Sequence, residues 1–288
     1  MSNDHTDRTE KFITKVGQEK LRNSRVTVVG VGGIGTHVVQ QLSFLRVGTH
    51  SYIDAEEIKT TSLNRYIGSK YNDPIPGSKK VDIAERLAHS IEPTIKISKI
   101  FDSLVSSAAF TAIRNSDYVF GCVDNEGVRL ILNELCSAYD KPYIDVSSEI
   151  TASAYGGQIV INESGRGCLL CLGVLDLEEA QRDLSGPDGK RQREALYGQD
   201  PHSLDPAGPS VVSLNGVVAS LAITEFLVWA AELRAPKKIL NYYGHSAKVT
   251  VGTDEPFPDC YYCKSLRGKG LAADVERYIN QGIGAWLR

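Results

Sequence analysis

The sequence predicts an α/β protein: a doubly wound, mostly parallel sheet, extended near its end by antiparallel strands and closed by a four-cysteine zinc clip. Three observations predict it. Apolar strands alternate with amphipathic helices between residues 26 and 146, the order that gives parallel strands joined by crossover helices. One of those strands, Val26-Thr27-Val28-Val29, runs straight into Gly30, Gly32, Gly33 and Gly35 and then into a helical pattern of Val38, Val39, Leu42 and Leu45. Two Cys-x-x-Cys pairs, Cys168/Cys171 and Cys260/Cys263, stand in the part of the chain where the alternation has stopped.

Taken in order, residues 1–25 form an N-terminal extension. It begins as a charged tail and becomes a lead-in helix from Lys11, with Phe12, Ile13, Val16 and Leu21 as its apolar positions. The main domain covers 26–265. After the glycine turn and its helix, Ser51-Tyr52-Ile53-Asp54 is the second strand. Residues 55–66 are polar and without period, and 68–78 are rich in Gly, Pro, Asn and Asp, so both are loops. A helix over 79–90 buries Val81, Ala84, Leu87 and Ala88 and stops before Pro93. A strand over 94–100, a helix near 106–114, a strand over 117–124, a helix over 126–139 and a strand over 143–146 complete the alternation.

Beyond Ser147 the pattern changes. Residues 152–161 read as one or two strands broken at Gly156-Gly157. The polar stretch of about 175–209 reads as a long crossover loop. An apolar helix over 211–233, two antiparallel strands at 238–243 and 247–251, and a C-terminal helical tail at 266–288 follow.

Composition narrows the function classes. A 42% hydrophobic and 23% charged chain of 288 residues is ordinary for a globular protein with a sizeable core. A net charge of −3 offers no broad basic surface, so no nucleic-acid partner is expected. Residues 1–10 carry no apolar signal region. The longest apolar run, 216–231, is broken by Thr224 and Glu225 and is too short to span a bilayer, so no membrane is expected. The default location is cytoplasmic. There, paired Cys-x-x-Cys motifs signal a tetrahedral Cys₄ zinc site before they signal disulfides.

The chemistry begins at the glycine turn. Glycines permit a tight turn and close approach of the backbone to an anion, and the helix that follows offers unpaired N–H groups and the positive end of its dipole. Asp54 stands about 20 residues on, where an acid takes ribose hydroxyls. Arg65, next to Asn64, and Lys80 supply two cations that can hold phosphates and stabilise charge as pyrophosphate leaves. Asp124 ends a parallel strand, where open α/β sheets bind ligands and where a carboxylate can hold Mg²⁺. Each also has a plainer reading: Arg65 and Lys80 as solvated surface charges, Asp124 as the N-cap of the next helix.

The ordered set Gly30-Val31-Gly32-Gly33-Ile34-Gly35, Asp54, Leu63-Asn64-Arg65, Lys80-Val81-Asp82-Ile83-Ala84, Ile91-Glu92-Pro93, Asp124-Asn125 and the two cysteine pairs resembles the adenylating family of MoeB, ThiF and the ubiquitin-activating enzymes. The resemblance runs from about residue 10 to 265. It implies a Rossmann-like fold and an ATP-dependent reaction in which the C-terminal carboxylate of a ubiquitin-like protein, a sulfur-carrier protein or a peptide attacks the α-phosphate. It assigns ribose to Asp54, phosphates to Arg65 and Lys80, and Mg²⁺ and the attacking carboxylate to Asp124. It also implies a homodimer, with an N-terminal arginine reaching the partner's ATP; Arg8 is the candidate, although Arg8-Thr9-Glu10-Lys11-Phe12 matches that motif poorly. Ser62 stands where many relatives have Asn.

The resemblance places an acyl-accepting cysteine in the crossover after the first pair; residues 172–259 contain none, and only Cys122 and Cys136 remain outside the pairs, so transfer through a catalytic cysteine is not expected. Three other readings stay open: adenylation of a carboxylate carried on tRNA, which the resemblance implies for another branch of the family, an NAD-dependent oxidoreductase, and an inactive nucleotide-binding subunit. His37, His202, His245, Trp229 and Trp286 are expected to pack or cap rather than react.

Overall fold

The computed structural model describes residues 6–151, 153–186, 209–253 and 255–287. Its centre is one eight-stranded sheet in the order β3-β2-β1-β4-β5-β6-β7-β8. The strands are β1 (Arg25–Val29), β2 (Thr49–Ile53), β3 (Lys96–Ile100), β4 (Tyr118–Gly121), β5 (Tyr143–Ile150), β6 (Tyr155–Asn162), β7 (Ile239–Tyr243) and β8 (Lys248–Val251). The first five are mutually parallel, and β6, β7 and β8 add on antiparallel. The register sets Val29 beside both Ile53 and Gly121. Three strands therefore end together where the strand order reverses, between β1 and β4, which opens the crevice in which such sheets bind ligands.

Two apolar layers cover the sheet. On one face lie α1 (Asp7–Asn23), α2 (Gly33–Phe44), α3 (Lys80–Ile91) and the long apolar helix α7 (Val212–Ala230). On the other lie α4 (Ser107–Arg114), α5 (Glu126–Ala138), α6 (Leu177–Leu184), the cysteine loops and the C-terminal turns, including α8 (Arg277–Asn280). By length and composition α7 is apolar enough to cross a membrane. Here it packs on β5, β6 and α2, burying Val218, Ala219, Ala222 and Phe226.

Four expectations need correction. The first helix starts at Asp7 rather than Lys11 and breaks at Thr14 (φ 67°, ψ 167°), so that Thr6 folds back to accept from Arg22. The expected break at Gly156-Gly157 is absent, and β6 runs through it. A side chain at 156 would strike the Tyr242 carbonyl at 2.0 Å, and one at 157 would strike the Ser147 carbonyl and Val218 of α7. Close neighbours, not a turn, demand these glycines. The start of the expected crossover loop is helix α6, whose N-terminus is capped by the Asp176 carboxylate accepting from Glu178 and Glu179 N–H. The rest of that loop, 187–208, lies outside the described residues, as does His202. The C-terminal helical tail expected over 266–288 is, in its described residues, a succession of short turns, of which Arg277–Asn280 is the α-helical one.

Candidate functional site

β1 delivers the chain into the crevice at Gly30. Gly30 has φ +80°, and a side chain there would meet the Cys122 carbonyl at 2.7 Å. A Cβ at Gly35 would stand 2.0 Å from the Gly30 carbonyl. These two positions exclude any other residue. Gly32 caps α2 without a side chain, and the first intrahelical bond runs from Thr36 N–H to the Gly32 carbonyl. The N–H groups of Gly33, Ile34 and Gly35 precede it and find no acceptor within the helix. No acidic residue occupies the first turn of α2. An uncapped, acid-free helix start of this kind attracts an anion.

Four charged side chains stand beside the turn: Asp54 and Glu56 from the loop after β2, Lys80 from the start of α3, and Arg65 from a further loop. Asp54 is 7% exposed, and its oxygens accept from Val31 N–H (3.0 Å) and Glu56 N–H (2.9 Å). Burial pushes its carboxyl up, against the pull of Lys80. Lys80 Nζ lies 3.9 Å from Asp54 and donates to Glu56 Oε2 at 2.5 Å. Glu56 is 39% exposed. Burial pushes its carboxyl up, but the hydrogen bond and charge of Lys80, with Lys59, outweigh this and hold it below the ordinary range. Sequence reading passed over Glu56, because it sits in an aperiodic polar loop. In the fold it is the more open of the two carboxylates. Lys80 is thus an enclosed cation rather than a solvated surface charge.

Arg65 crosses the turn from the other loop. Its methylenes pass within 3.4 Å of the place a Cβ would take at Gly33. Its Nη1 donates to the Thr61 carbonyl (2.7 Å) and to Asn64 Oδ1 (3.1 Å). Asn64 therefore orients the guanidinium. Ser62 closes the short turn that carries this segment: its N–H reaches the Lys59 carbonyl and its carbonyl accepts from Arg65 N–H.

Asp124 lies just beyond β4 and is exposed. The N-cap of α5 is Asn125, whose side chain accepts from Val128 N–H at 2.9 Å. Capping is therefore done by the neighbour, and the Asp124 carboxylate is left open at the crevice. The segment behind it is held by a network of ion pairs and hydrogen bonds. Arg129, 7% exposed, pairs with both oxygens of Asp145 (3.2 and 2.6 Å) and with Glu126. Tyr143 Oη donates to Asp145 (2.7 Å), and Glu126 accepts from Asp176 N–H (3.1 Å). Asp183 of α6 accepts from Gly127 N–H (3.2 Å). Burial raises the Glu126 carboxyl despite Arg129, and the Arg129 guanidinium stays charged between its carboxylates.

Away from the crevice, the four paired cysteines meet. Their sulfurs all lie within 4.8 Å of one another, with Cys168–Cys260 at 3.6 Å and Cys171–Cys263 at 3.7 Å. Tetrahedral zinc with Zn–S bonds of about 2.3 Å needs sulfurs about 3.8 Å apart, so the donor set and spacing fit zinc. The Cys168 N–H also points at Cys171 Sγ (3.1 Å), as suits a thiolate.

The remaining candidates fall elsewhere. Arg8 is exposed on α1. That helix meets α7 at Ala231, where Gly17 packs. Asn215 beside the glycine turn is near the opposite end of α7, a helix about 28 Å long at 1.5 Å per residue. The fold does not bring Arg8 to the site of its own chain. His37 packs against Gly216 of α7, and burial lowers its basicity. Trp229 packs edge-on against Tyr118, Trp286 lies against Gly186, and His245 sits in a turn beside Tyr243. The thiols of Cys122 and Cys136 are both pushed far up by burial, the state of core thiols rather than of nucleophiles.

Comparison with known proteins places the chain in a family. The ThiF family matches residues 6–260. The sulfur carrier protein ThiS adenylyltransferase of Escherichia coli K12 is 29% identical over 169 residues, 58% of this chain and 64% of that protein. The molybdopterin-synthase adenylyltransferase of the same organism is 33% identical over 167 residues, 57% of this chain and 64% of that protein. The matched region thus spans a little under two thirds of either relative. Among solved structures, E. coli MccB with MccA-N7isoASN superposes with a TM-score of 0.72 over 91% of this chain and 75% of that one. At 20% identity, that likeness concerns the fold.

Proposed function

The chain belongs to the ThiF family, and we propose that it uses ATP to adenylate the C-terminal carboxylate of a ubiquitin-like or sulfur-carrier protein, or of a peptide. The observation that carries the reading is the convergence of an uncapped glycine turn with Arg65, Lys80 and an open Asp124 at one end of the sheet. A dinucleotide site needs the turn and an acid; two cations and a second carboxylate suit a triphosphate and an attacking anion. The names of the two curated relatives, adenylyltransferases of ThiS and of molybdopterin synthase, support the same class of substrate.

In this reading the α2 N–H groups and Gly30, Gly32, Gly33 and Gly35 cradle phosphate. Asp54 and its neighbour Glu56 face ribose, and Arg65, oriented by Asn64, and Lys80 cancel phosphate charge. The substrate carboxylate oxygen bonds to the α-phosphorus, the bond to the bridging oxygen of the β-phosphate breaks, and pyrophosphate leaves with that electron pair. The products are an acyl-adenylate and pyrophosphate, and no proton or electron is exchanged. An anion attacks a polyanion here, so cancelled charge and fixed orientation supply the acceleration. Asp124 is the residue that would hold Mg²⁺, whose chemistry is to neutralise the phosphates. Zinc at Cys168, Cys171, Cys260 and Cys263 would be structural. With Cys136 buried and the half-buried Cys122 thiol pushed up by its apolar surroundings, the acyl group passes directly to its acceptor.

Arg8 acts, on this reading, in a homodimer, reaching the site of the partner subunit. A cytoplasmic setting, with ATP and reduced thiols, suits the whole. The test is ATP–pyrophosphate exchange against a panel of proteins and peptides ending in Gly-Gly or Asn. Exchange that needs one polypeptide and is lost in Asp124→Ala supports the reading and names the substrate. Tight ATP binding with no exchange from any polypeptide, and exchange with a tRNA-borne carboxylate instead, overturns it.

A further inference from the structure

We propose that Asn215, at the start of α7, is a phosphate-contacting residue of the nucleotide site, its side-chain amide completing the anion cradle that the glycine turn begins. The proposal rests on the reading of the site as an ATP site and adds a residue to it. Asn215 is 2% exposed. Its Oδ1 accepts from Ser148 Oγ on β5 (3.0 Å), and its Nδ2 donates to Ser210 Oγ (3.2 Å). An amide nitrogen carries two N–H groups, and only one is used by Ser210. The nitrogen itself stands 2.6 Å from where a Cβ would lie on Gly33.

That position explains the glycine. Gly33 has no unusual backbone angle to demand it. What fills its side-chain space is the Asn215 amide on one side and the Arg65 methylenes on the other. The groups gathered at the start of α2 therefore come from three separate parts of the chain: the turn's own N–H groups, the Arg65 side chain and the Asn215 amide. Burying a primary amide is costly unless its hydrogen bonds are made. Leu214 before it and Val217 and Val218 after it are apolar. A spare N–H held over an anion-binding helix start has a natural acceptor in a phosphate oxygen.

The placement also gives the second half of the chain a hand in the first. Ser148 fixes the amide from β5, and Ser210 fixes it from the segment that leads into α7. Both hydroxyls hold the amide in one orientation, so its spare N–H needs little reorganisation when an anion arrives.

The experiment is a binding titration of ATP, and separately of adenosine, to the full chain and to Asn215→Asp and Asn215→Ala, with a melting curve for each. The Asp variant has the same shape but replaces the donor by a negative charge. Loss of a hydrogen bond to a charged group corresponds to about a tenfold weaker ATP affinity in the Ala variant, with a larger loss in the Asp variant. Adenosine affinity should stay within about twofold of the parent in both, and it certifies that the variants are folded. Equal losses for ATP and adenosine, or an Asp variant that binds ATP as well as the parent, overturn the proposal. A parent chain that binds adenosine and ATP equally would instead overturn the triphosphate reading itself. An Asp variant too unstable to titrate leaves the Ala variant, with its ATP-to-adenosine ratio, to decide.

Discussion

The parallel and antiparallel halves of the sheet are built on opposite principles. In the parallel half, β1, β2 and β4 end at a crevice where charged groups are held but left reachable: Asp124 exposed, Glu56 partly open, Arg65 half-buried across a glycine turn. In the antiparallel half, β6, β7 and β8 carry no comparable group, and the chain around them is fastened by four cysteine sulfurs. One half spends its polar residues on binding and the other on being held. The contrast teaches why a protein of this size has a clip at all. Helix α7 covers β5 and β6, while the two cysteine loops tie the start of the crossover to the chain's last segment. The halves meet at Ser148 and Asn215, which lie 67 residues apart in sequence.

If the contrast is right, damage to the halves should be separable. Cys168→Ala should have the largest effect. It should cost about 4 kcal/mol or more of stability, the class of effect seen when a structural metal is lost, and the zinc that the proposed reading assigns to the parent protein should be absent from the purified variant. ATP affinity of the protein that remains folded in the cold should change little. A Cys168→Ala protein with full stability and bound zinc would break the comparison. Asp124→Ala should do the reverse. Pyrophosphate exchange should fall by about 100-fold to 1,000-fold, or about 3–4 kcal/mol of transition-state stabilisation, while the melting temperature of this exposed position barely moves.

A third test concerns pH and belongs to the parallel half alone. His50 on β2 is fully buried, its Nδ1 is 2.7 Å from Tyr52 Oη, and burial, with help from His89, depresses its pKa to about 3. An unfolded histidine takes up its proton near pH 6.5, so below that the unfolded state binds more protons and stability falls as pH falls. Between about pH 7.5 and pH 5 this residue should remove about 2 kcal/mol, fully present above the unfolded value and still declining toward about pH 3. Thermal melts of His50→Asn at the two pH values should show a correspondingly shallower loss than the parent. The smallest expected effect is at the cap of α5. Asn125→Ala should cost about 1 kcal/mol and, because the cap adjoins Asp124, should also lower exchange several-fold. A loss of stability with unchanged exchange would show that the cap and the carboxylate are not coupled.

Most of the parallel half was legible in the sequence because it obeys local rules. A β-branched run followed at once by Gly30, Gly32, Gly33 and Gly35 has few other readings, and the helices of this half show their periods and stops. The cysteine pairs were legible for a different reason: their spacing is chemistry rather than secondary structure. What was missed depended on neighbours. Gly156 and Gly157 looked like a turn because nothing local reveals the strands and the helix that crowd them. Helix α6 was hidden because Asp176, Glu178, Glu179, Arg182 and Asp183 make it read as polar loop, while only a few positions such as Ala180 meet the core. Asn215 gave no local sign at all. It sits at the head of an apolar helix, and its meaning comes from Gly33 and Ser148, far away in the chain.

The central claim, that a carboxylate attacks the α-phosphate of ATP in the crevice, is tested most directly with an isotope. A polypeptide that supports exchange is prepared with ¹⁸O in its C-terminal carboxylate and turned over with ATP, and the released AMP is weighed. The account predicts one ¹⁸O in the AMP, because the carboxylate oxygen bridges to phosphorus and stays there when the acyl carbon is later attacked. The label should be lost together with turnover in Asp124→Ala. AMP released without ¹⁸O in step with polypeptide turnover, or cleavage to ADP and phosphate alone, would contradict it.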